Sequence, residues 1–199
     1  IPHNPDSNGV SQAGIVRTQT TISNGVRMST ARCYLKPIKN RKNLRVETGA
    51  HTQKVIMEGK KCVGIDYHCK GKTIRAKASK EVIICTGGVA SPQLLELSGI
   101  GQPELLRSHG IKIEHELMGV GEHLRDHINA PIKFHMKRGD LSYNKRMQGL
   151  GPAWQVLRYL FQKRGFMSLP SAPMLAFLRT RDDMETPDVQ MHIVPYAVK

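Results

Sequence analysis

The chain has 199 residues, of which 39% are hydrophobic and 23% charged, a composition that is ordinary for a soluble globular protein of one or one and a half domains. No run approaches the roughly 18 apolar residues that a membrane span requires, and no internal repeat or low-complexity segment occurs. The formal net charge of +14 suggests nucleic acid or an anionic membrane surface as a partner, but the only dense basic group, residues 36–45, lacks interleaved aromatic side chains and is typical of a solvated loop face.

The first part of the chain changes from irregular to strand-forming. Residues 1 to about 43 are rich in glycine, serine, asparagine and proline, which predicts an irregular segment with one short helix at residues 29–35, before Pro37. Residues 44–48 alternate in polarity like a strand. Three further alternating runs are separated by glycine turns and predict an antiparallel three-stranded meander: residues 54–58, 62–68 and 72–77.

A strand and the start of a helix follow the meander. Residues 81–85 are apolar without alternation, as expected of a strand covered on both faces. The run 86–88, Thr-Gly-Gly, then leaves backbone N–H groups unobstructed at a sheet edge, where open α/β folds bind ligands. Ser91 is predicted as the N-cap of the next helix, with Pro92 at its first position, and residues 98–101 are predicted to end that helix.

The character of the sequence changes after His127. Four segments follow, predicted in order as a strand, an amphipathic helix and two strands: residues 130–136, 154–161, 174–178 and 189–194. An antiparallel sheet with helices laid on it fits this order. Because the chain begins with Ile1 and ends on the strand-like run 194–199, we expect it to be an internal part of a longer protein.

The segment from Thr86 to Gly101 resembles the second signature of the glucose-methanol-choline (GMC) flavoprotein oxidoreductases, which reads Gly-small-x-x-Ser-Pro-x-aliphatic-aliphatic-x-x-Ser-Gly-aliphatic-Gly. Only Gly88 departs, standing where alanine or serine is usual. Residues 119–127 look like the family's Gly-Val-Gly-x-Asn-Leu-x-Asp-His segment, with His123 in place of the asparagine. Further blocks fit the choline-dehydrogenase-like branch, so that the resemblance is dense from Gly14 to Asp126: residues 24–27, 31–35, 43–46, 48–50, 103–106 and 109–111.

This resemblance implies an α/β (α+β) fold. Residues 1–127 are expected to form part of an FAD-binding, Rossmann-like domain that carries the three-stranded antiparallel meander. Residues 128–199 are expected to begin a substrate-binding domain built on an antiparallel sheet. The dinucleotide-binding loop of the family lies near the N-terminus of the full protein, and this sequence contains no Gly-x-Gly-x-x-Gly motif, since Gly119-x-Gly121 is followed by Leu124.

The resemblance also implies FAD as the cofactor and predicts four cofactor-binding residues. Thr52 stands where the family contacts adenine through the backbone; the alternative is an ordinary strand residue. Thr86, Gly87 and Gly88 resemble the segment beside the FAD ribose and pyrophosphate, although glycines at such a turn also serve purely steric needs. In the family the catalytic base is a histidine near the C-terminus of the full protein, beyond Lys199, so we assign no catalytic residue.

The sequence gives little support for a metal site or for hydrolase chemistry. His123 and His127 are four residues apart with Asp126 beside them, but the sequence places no third ligand and lacks the His-Glu-x-x-His order. Ser98 lacks the Gly-x-Ser-x-Gly elbow of a hydrolase. The four cysteines show no Cys-x-x-Cys spacing and are expected to be free thiols: Cys33, Cys62, Cys69 and Cys85.

The implied reaction is oxidation of a primary alcohol to an aldehyde by hydride transfer to FAD, because no side chain accepts a hydride. Within the family, the alternative is an oxidase that passes electrons to oxygen. From a different class, charge alone would allow a basic nucleic-acid-binding module. We expect a small-molecule alcohol as substrate and no nucleic acid as partner. The sequence leaves open the alcohol, the electron acceptor, the oligomeric state and the location. A cytoplasmic protein and a full protein with a peripheral membrane contact are both compatible with it.

Overall fold

The computed structural model describes residues 1–135, 137 and 142–196. Its strands are, in chain order, β1 (Gly14–Arg17), β2 (Ile22–Ser23), β3 (Val26–Arg27), β4 (His51–Glu58), β5 (Lys61–Cys69), β6 (Lys72–Lys77), β7 (Ile100–Gly101), β8 (His115–Glu116), β9 (Met174–Leu178) and β10 (Val189–Ile193). Its α-helices are α1 (Lys36–Ile38), α2 (Gly87–Leu97), α3 (Pro103–Ser108), α4 (Tyr143–Arg146) and α5 (Gly151–Gln162), with a π-helical turn at Ala31–Leu35 and a 3-10 turn at Phe166–Ser168. The short helix predicted at residues 29–35 therefore forms, and Pro37 lies within its continuation into α1 rather than after it.

Two compact units make up the chain. Residues 45–130 form the central unit, and residues 1–44 together with 131–199 form the split unit. The split unit contains both ends of the chain because β1 pairs with β9. The sequence placed residues 1–44 with the cofactor-binding segment, whereas the structure groups them with the segment that follows residue 130. The assignment of residues 1–127 to cofactor binding and 128–199 to substrate binding stays a prediction.

The central unit contains the meander that the sequence predicts. β4, β5 and β6 form an antiparallel sheet in that order, with Val55 opposite Ile65 and Ile65 opposite Ala76. The turn between β5 and β6 places Lys70 and Gly71 at φ values of 50° and 77°, the conformation that suits a two-residue hairpin between right-twisted strands.

Helix α2 contacts β4 and leads into a small β–α–β arrangement, in which β7 and β8 pair in parallel with α3 between them. The buried apolar side chains of this part include Leu94, Leu106 and Val120, of which Leu106 is only 1% exposed. Gly99, at φ +84°, turns the chain out of α2, and a Cβ there would collide with the carbonyl oxygen of Lys112. The predicted helix end at residues 98–101 is therefore confirmed.

Three predicted strands do not form among the described residues. Residues 44–48, 81–85 and 130–135 belong to no strand, and Ile83 is 73% exposed although its apolar surroundings predicted burial on both faces. A strand requires a neighbour that offers N–H and C=O groups in register, and no described segment does so at these positions. Met136, the last residue of the third predicted strand, lies outside the described residues.

In the split unit, β1, β9 and β10 form an antiparallel sheet with β9 in the middle. Val16 of β1 and Ala176 of β9 are buried at its centre, and the hydroxyl of Thr18 donates to the Ala172 carbonyl at 2.6 Å. The strands predicted at residues 174–178 and 189–194 are confirmed as β9 and β10. β1 was not predicted, because the composition of its surroundings indicated an irregular segment. Residues 197–199 of the terminal run lie outside the described residues.

Helix α5 contains the predicted amphipathic helix at residues 154–161. Its buried residue is the polar Gln155, whereas Trp154, Leu160 and Phe161 are 63%, 57% and 84% exposed. The apolar stripe thus faces away from the described part of the split unit. The period of 3.6 residues predicts the helix but not which of its faces is covered.

Candidate functional site

Helix α2 begins earlier than the sequence predicted. Its first residue is Gly87, at φ +87°, so Ser91 is not the N-cap and Pro92 lies inside the helix. The N-cap residue is Thr86, whose hydroxyl lies 3.0 Å from that of Ser91. Glycine adopts a positive φ without strain, which explains the start at Gly87. Pro92 has no N–H to donate to the Gly88 carbonyl, so the helix lacks that hydrogen bond.

The start of α2 is an uncapped helix N-terminus beside open space. Thr86 makes no capping hydrogen bond through its side chain, and the first N–H groups of a helix have no acceptor within it. A Cβ added to Gly87 or Gly88 would meet no described atom within 4 Å. Free N–H groups, the positive end of the helix dipole and space at two glycines suit the close approach of a phosphate or a hydroxylated ligand.

Thr52, the fourth predicted cofactor residue, lies half-buried in β4 opposite Tyr67 of β5. β4 is one of the two edge strands of its sheet in the described part of the chain, so one side of its backbone is available to groups other than a strand. The pairing with β5 shifts register between Thr52 and Lys54. This position is compatible with a backbone contact to a ligand, and the adenine contact of Thr52 stays a prediction.

Ser98, which the sequence indicated only as part of a helix end, forms a buried hydrogen-bonded link between α2 and β4. Its Oγ accepts the N–H of Val55 at 2.9 Å and donates to the Leu94 carbonyl at 2.5 Å. Ser98 and Val55 are 7% and 5% exposed, so the hydroxyl satisfies a backbone donor that is turned away from water. The sequence signal for this link is a serine before a glycine at a helix end, and this signal does not identify the strand to which the serine binds.

Three of the four predicted cofactor residues are neighbours, and the fourth lies on another element. Residues 86–88 are the N-cap and the first two residues of α2, whereas the hydrogen bond to β4 is made at Ser98, beyond the last residue of the helix. With 11 residues, α2 is roughly 16 Å long at 1.5 Å per residue. Thr52 lies roughly 10 Å along β4 from Val55. The contact between Ser98 and Val55 thus joins the helix that carries residues 86–88 to the strand that carries Thr52.

A charged cluster lies on the meander beside an open cleft. Arg75 donates two hydrogen bonds to Asp66, at 2.8 and 2.9 Å, and Lys54 Nζ lies 4.0 Å from the same carboxylate. The hydrogen bond from Arg75 holds the pKa of Asp66 below its usual value, against burial, which raises it. Lys54, Arg75 and Lys112 line a cleft of about 310 Å³, and Lys112 is paired with Glu114 at 2.8 Å. Each cation in the cleft wall therefore lies beside a carboxylate.

The histidines and cysteines of the described ranges form no metal-binding group of three or more ligands. Asp126 accepts the backbone N–H of His127 at 2.8 Å, and His123 lies exposed at φ +59°. All four cysteines are unpaired. Within residues 1–135, 137 and 142–196, no helix has the length and apolar character needed to cross a membrane.

A helix that starts at a glycine and leaves its N-terminal N–H groups open is a feature by which α/β proteins bind the phosphates of dinucleotides. The sequence model of the GMC oxidoreductase family matches residues 1–129, which include Thr52 and residues 86–88. The chain belongs to the GMC oxidoreductase family, whose cofactor is FAD. This match decides between the two classes that the sequence left open, in favour of the oxidoreductase.

The individual relatives agree with this family. Oxygen-dependent choline dehydrogenase 1 of Chromohalobacter salexigens is 39% identical over 198 residues, which are 99% of this chain and 35% of that protein. A crystal structure of formate oxidase matches with a TM-score of 0.77 at 22% identity, covering 89% of this chain and 31% of that one. An FAD-dependent oxidoreductase from Chaetomium thermophilum matches with a TM-score of 0.74 at 23% identity, covering 89% and 32%. The predicted mixed α/β fold is confirmed, and the chain spans only 35% of the length of the curated relatives.

Proposed function

We propose that the protein to which this chain belongs oxidises a primary alcohol to an aldehyde with FAD as its cofactor. The start of α2 supports this function: two glycines with free space and an uncapped N-terminus occur within the segment that matches the family, residues 1–129. When bound, FAD supplies the hydride acceptor that no side chain provides. Choline is the first substrate to test, because relatives in Chromohalobacter salexigens and Paraburkholderia phytofirmans are named choline dehydrogenases.

The residues at the start of α2 fit the ribose and pyrophosphate of FAD. Gly87 and Gly88 would allow these groups to approach the helix backbone, and the N–H groups of the first turn would donate to their oxygens. The hydroxyl of Thr86 already faces that of Ser91, so the contribution of Thr86 would come from its backbone. Thr52 would contact adenine through a backbone group on the edge of β4. No residue of this chain is assigned to take the alcohol proton.

The test uses the protein in the form in which its gene encodes it. We expect the purified protein to remain yellow through desalting and to release FAD on denaturation. Choline and simple primary alcohols are then added without oxygen, and bleaching of the flavin absorbance is followed. Addition of oxygen or of a dye acceptor afterwards distinguishes an oxidase from a dehydrogenase. A protein that retains no flavin, or whose flavin is bleached by no primary alcohol, would contradict this function.

A further inference from the structure

The hydroxyl of Ser98 joins the two elements that carry the predicted cofactor residues. It accepts the N–H of Val55 at 2.9 Å and donates to the carbonyl of Leu94, one turn back in α2, at 2.5 Å. Because one hydroxyl donates and accepts at once, it cannot rotate without breaking a hydrogen bond in a buried position. The end of α2 and the middle of β4 are therefore held in one relative position.

The direction of the β4 backbone depends strongly on this hydrogen bond, because the pairing of β4 is less regular than that of an ordinary strand. Among the strands of the described residues, β4 pairs with β5 alone, and that pairing shifts register on each side of Val55: between Thr52 and Lys54, and between Ile56 and Met57. Register shifts bend and twist a strand. Val55 lies between two such bends, so its contact with Ser98 fixes the direction in which the strand continues toward Thr52.

The C-terminal end of α2 is held firmly, while its first turn is open. Leu94 is 7% exposed, and the Gly99 carbonyl just beyond the helix accepts the N–H of Glu114 at 2.8 Å. At the other end, a Cβ added to Gly87 or Gly88 would meet no atom of the described residues within 4 Å. The helix runs without a break over 11 residues between these two ends, with one hydrogen bond missing at Pro92, so the position of the glycines depends on how the other end is fastened.

We infer that Ser98 is a positioning residue for FAD. Its hydroxyl sets the separation between the edge of β4 near Thr52 and the first turn of α2, and so shapes the site for the adenosine half of the cofactor before binding. This role rests on the proposed function, because it requires that FAD lie between these elements. Loss of the hydroxyl should weaken FAD binding beyond what loss of stability explains, since binding would have to restore the separation.

The experiment compares matched variants of the protein as its gene encodes it. Ser98→Ala removes the link, and Ser98→Thr keeps the hydroxyl. Ser108→Ala is the chemical control, because the Ser108 hydroxyl also donates back within its helix, to the Leu105 carbonyl at 2.8 Å, but lies on α3. Leu106→Val is the stability control, at a side chain that is 1% exposed. FAD is titrated into each apoprotein by flavin fluorescence, at a temperature where circular dichroism shows all of them folded.

We expect Ser98→Ala to raise the Kd for FAD about tenfold, the order expected for the loss of one buried hydrogen bond. Ser98→Thr should recover most of this loss, and both controls should stay within about twofold of the wild type. If Ser98→Ala does not fold, Ser98→Cys, with its weak acceptor, replaces it with the same expected direction. If Ser98→Ala and Leu106→Val weaken FAD binding equally, the positioning role of Ser98 is overturned. A wild-type protein without flavin affinity would instead overturn the proposed function, and this role with it.

Discussion

Ser98 and Val55 are 43 residues apart in the sequence and are joined by a buried hydrogen bond of 2.9 Å from the Val55 N–H to the Ser98 hydroxyl. The bond fastens a helix end to the edge of a sheet at a place where the strand ladder itself is irregular. It therefore contributes to stability as well as to the proposed position of the cofactor residues, and the two effects are separable by experiment.

The stability effect is tested by Ser98→Ala without cofactor. The variant should lower the free energy of unfolding by about 1–3 kcal/mol, because the Val55 N–H is left buried without an acceptor. Ser108→Ala, in which a more exposed hydroxyl is removed, should stay within about 0.5 kcal/mol. Urea unfolding followed by circular dichroism measures both values, and equal losses would show that the link to β4 contributes nothing.

The open space at Gly88 allows a test of the cofactor site that avoids backbone strain. Gly88 lacks the positive φ of Gly87, and a side chain there meets no described atom within 4 Å. Gly88→Val should thus fold normally but bind FAD roughly 5- to 150-fold more weakly, the equivalent of the 1–3 kcal/mol that overpacking costs. Gly119→Val is the matched control, since Gly119 has the same freedom. Unchanged FAD affinity in Gly88→Val would leave Gly88 as a residue of the turn only.

Thr52 distinguishes backbone from side-chain recognition of adenine. If the backbone makes the contact, Thr52→Val should leave FAD affinity within about twofold, whereas Thr52→Pro should weaken it through the lost N–H and the disturbed strand. FAD titration beside circular dichroism on each apoprotein separates cofactor loss from misfolding. A folded Thr52→Val variant that binds as weakly as the proline variant would identify the hydroxyl as the recognition group.

The ion pair of Asp66 with Arg75 makes stability depend on pH. The folded-state pKa of Asp66 lies below its usual value because Arg75 donates hydrogen bonds to the carboxylate, while the unfolded value is about 3.9. The stabilisation is therefore complete above the unfolded pKa and is lost as pH falls through the folded pKa. Asp66→Asn should be less stable than the wild type at pH 7, and the difference should shrink toward pH 3.

Thermal unfolding between pH 7 and pH 3 measures this difference, with Asp126→Asn as the control. The Asp126 side chain is 89% exposed, so its removal should change stability little at any pH. A difference between Asp66→Asn and the wild type that stays constant over this range would show that the Asp66 carboxylate is not the titrating group.

Residues 1–199 produced by themselves should not retain FAD through desalting. The sequence has no Gly-x-Gly-x-x-Gly motif for the pyrophosphate, and the start of α2 supplies only some of the donors that a dinucleotide requires. The measurement is the flavin absorbance of the desalted chain after incubation with excess FAD. A stable yellow chain would show that these residues form a complete site.

Several elements could be predicted from the sequence because their signals are local. Alternation in the runs around Val55, Ile65 and Ile74, with glycines between them, predicted the meander that the structure contains. Gly99 marked the end of α2 because the chain must adopt a positive φ there. The order of the motifs from Gly14 to Asp126 identified the family, which the match over residues 1–129 confirms.

Only the tertiary structure decided features that depend on distant partners. The run around Ile83 has the composition of a buried strand, but composition does not supply the neighbour that a strand must pair with. β1 forms because β9, far along the chain, lies beside it. The sequence determined which residues are able to form strands, turns and a glycine-started helix. Which backbone N–H the Ser98 hydroxyl accepts was decided by the fold, because a hydrogen bond depends on two groups meeting within about 3 Å, and the sequence around either group does not contain the other.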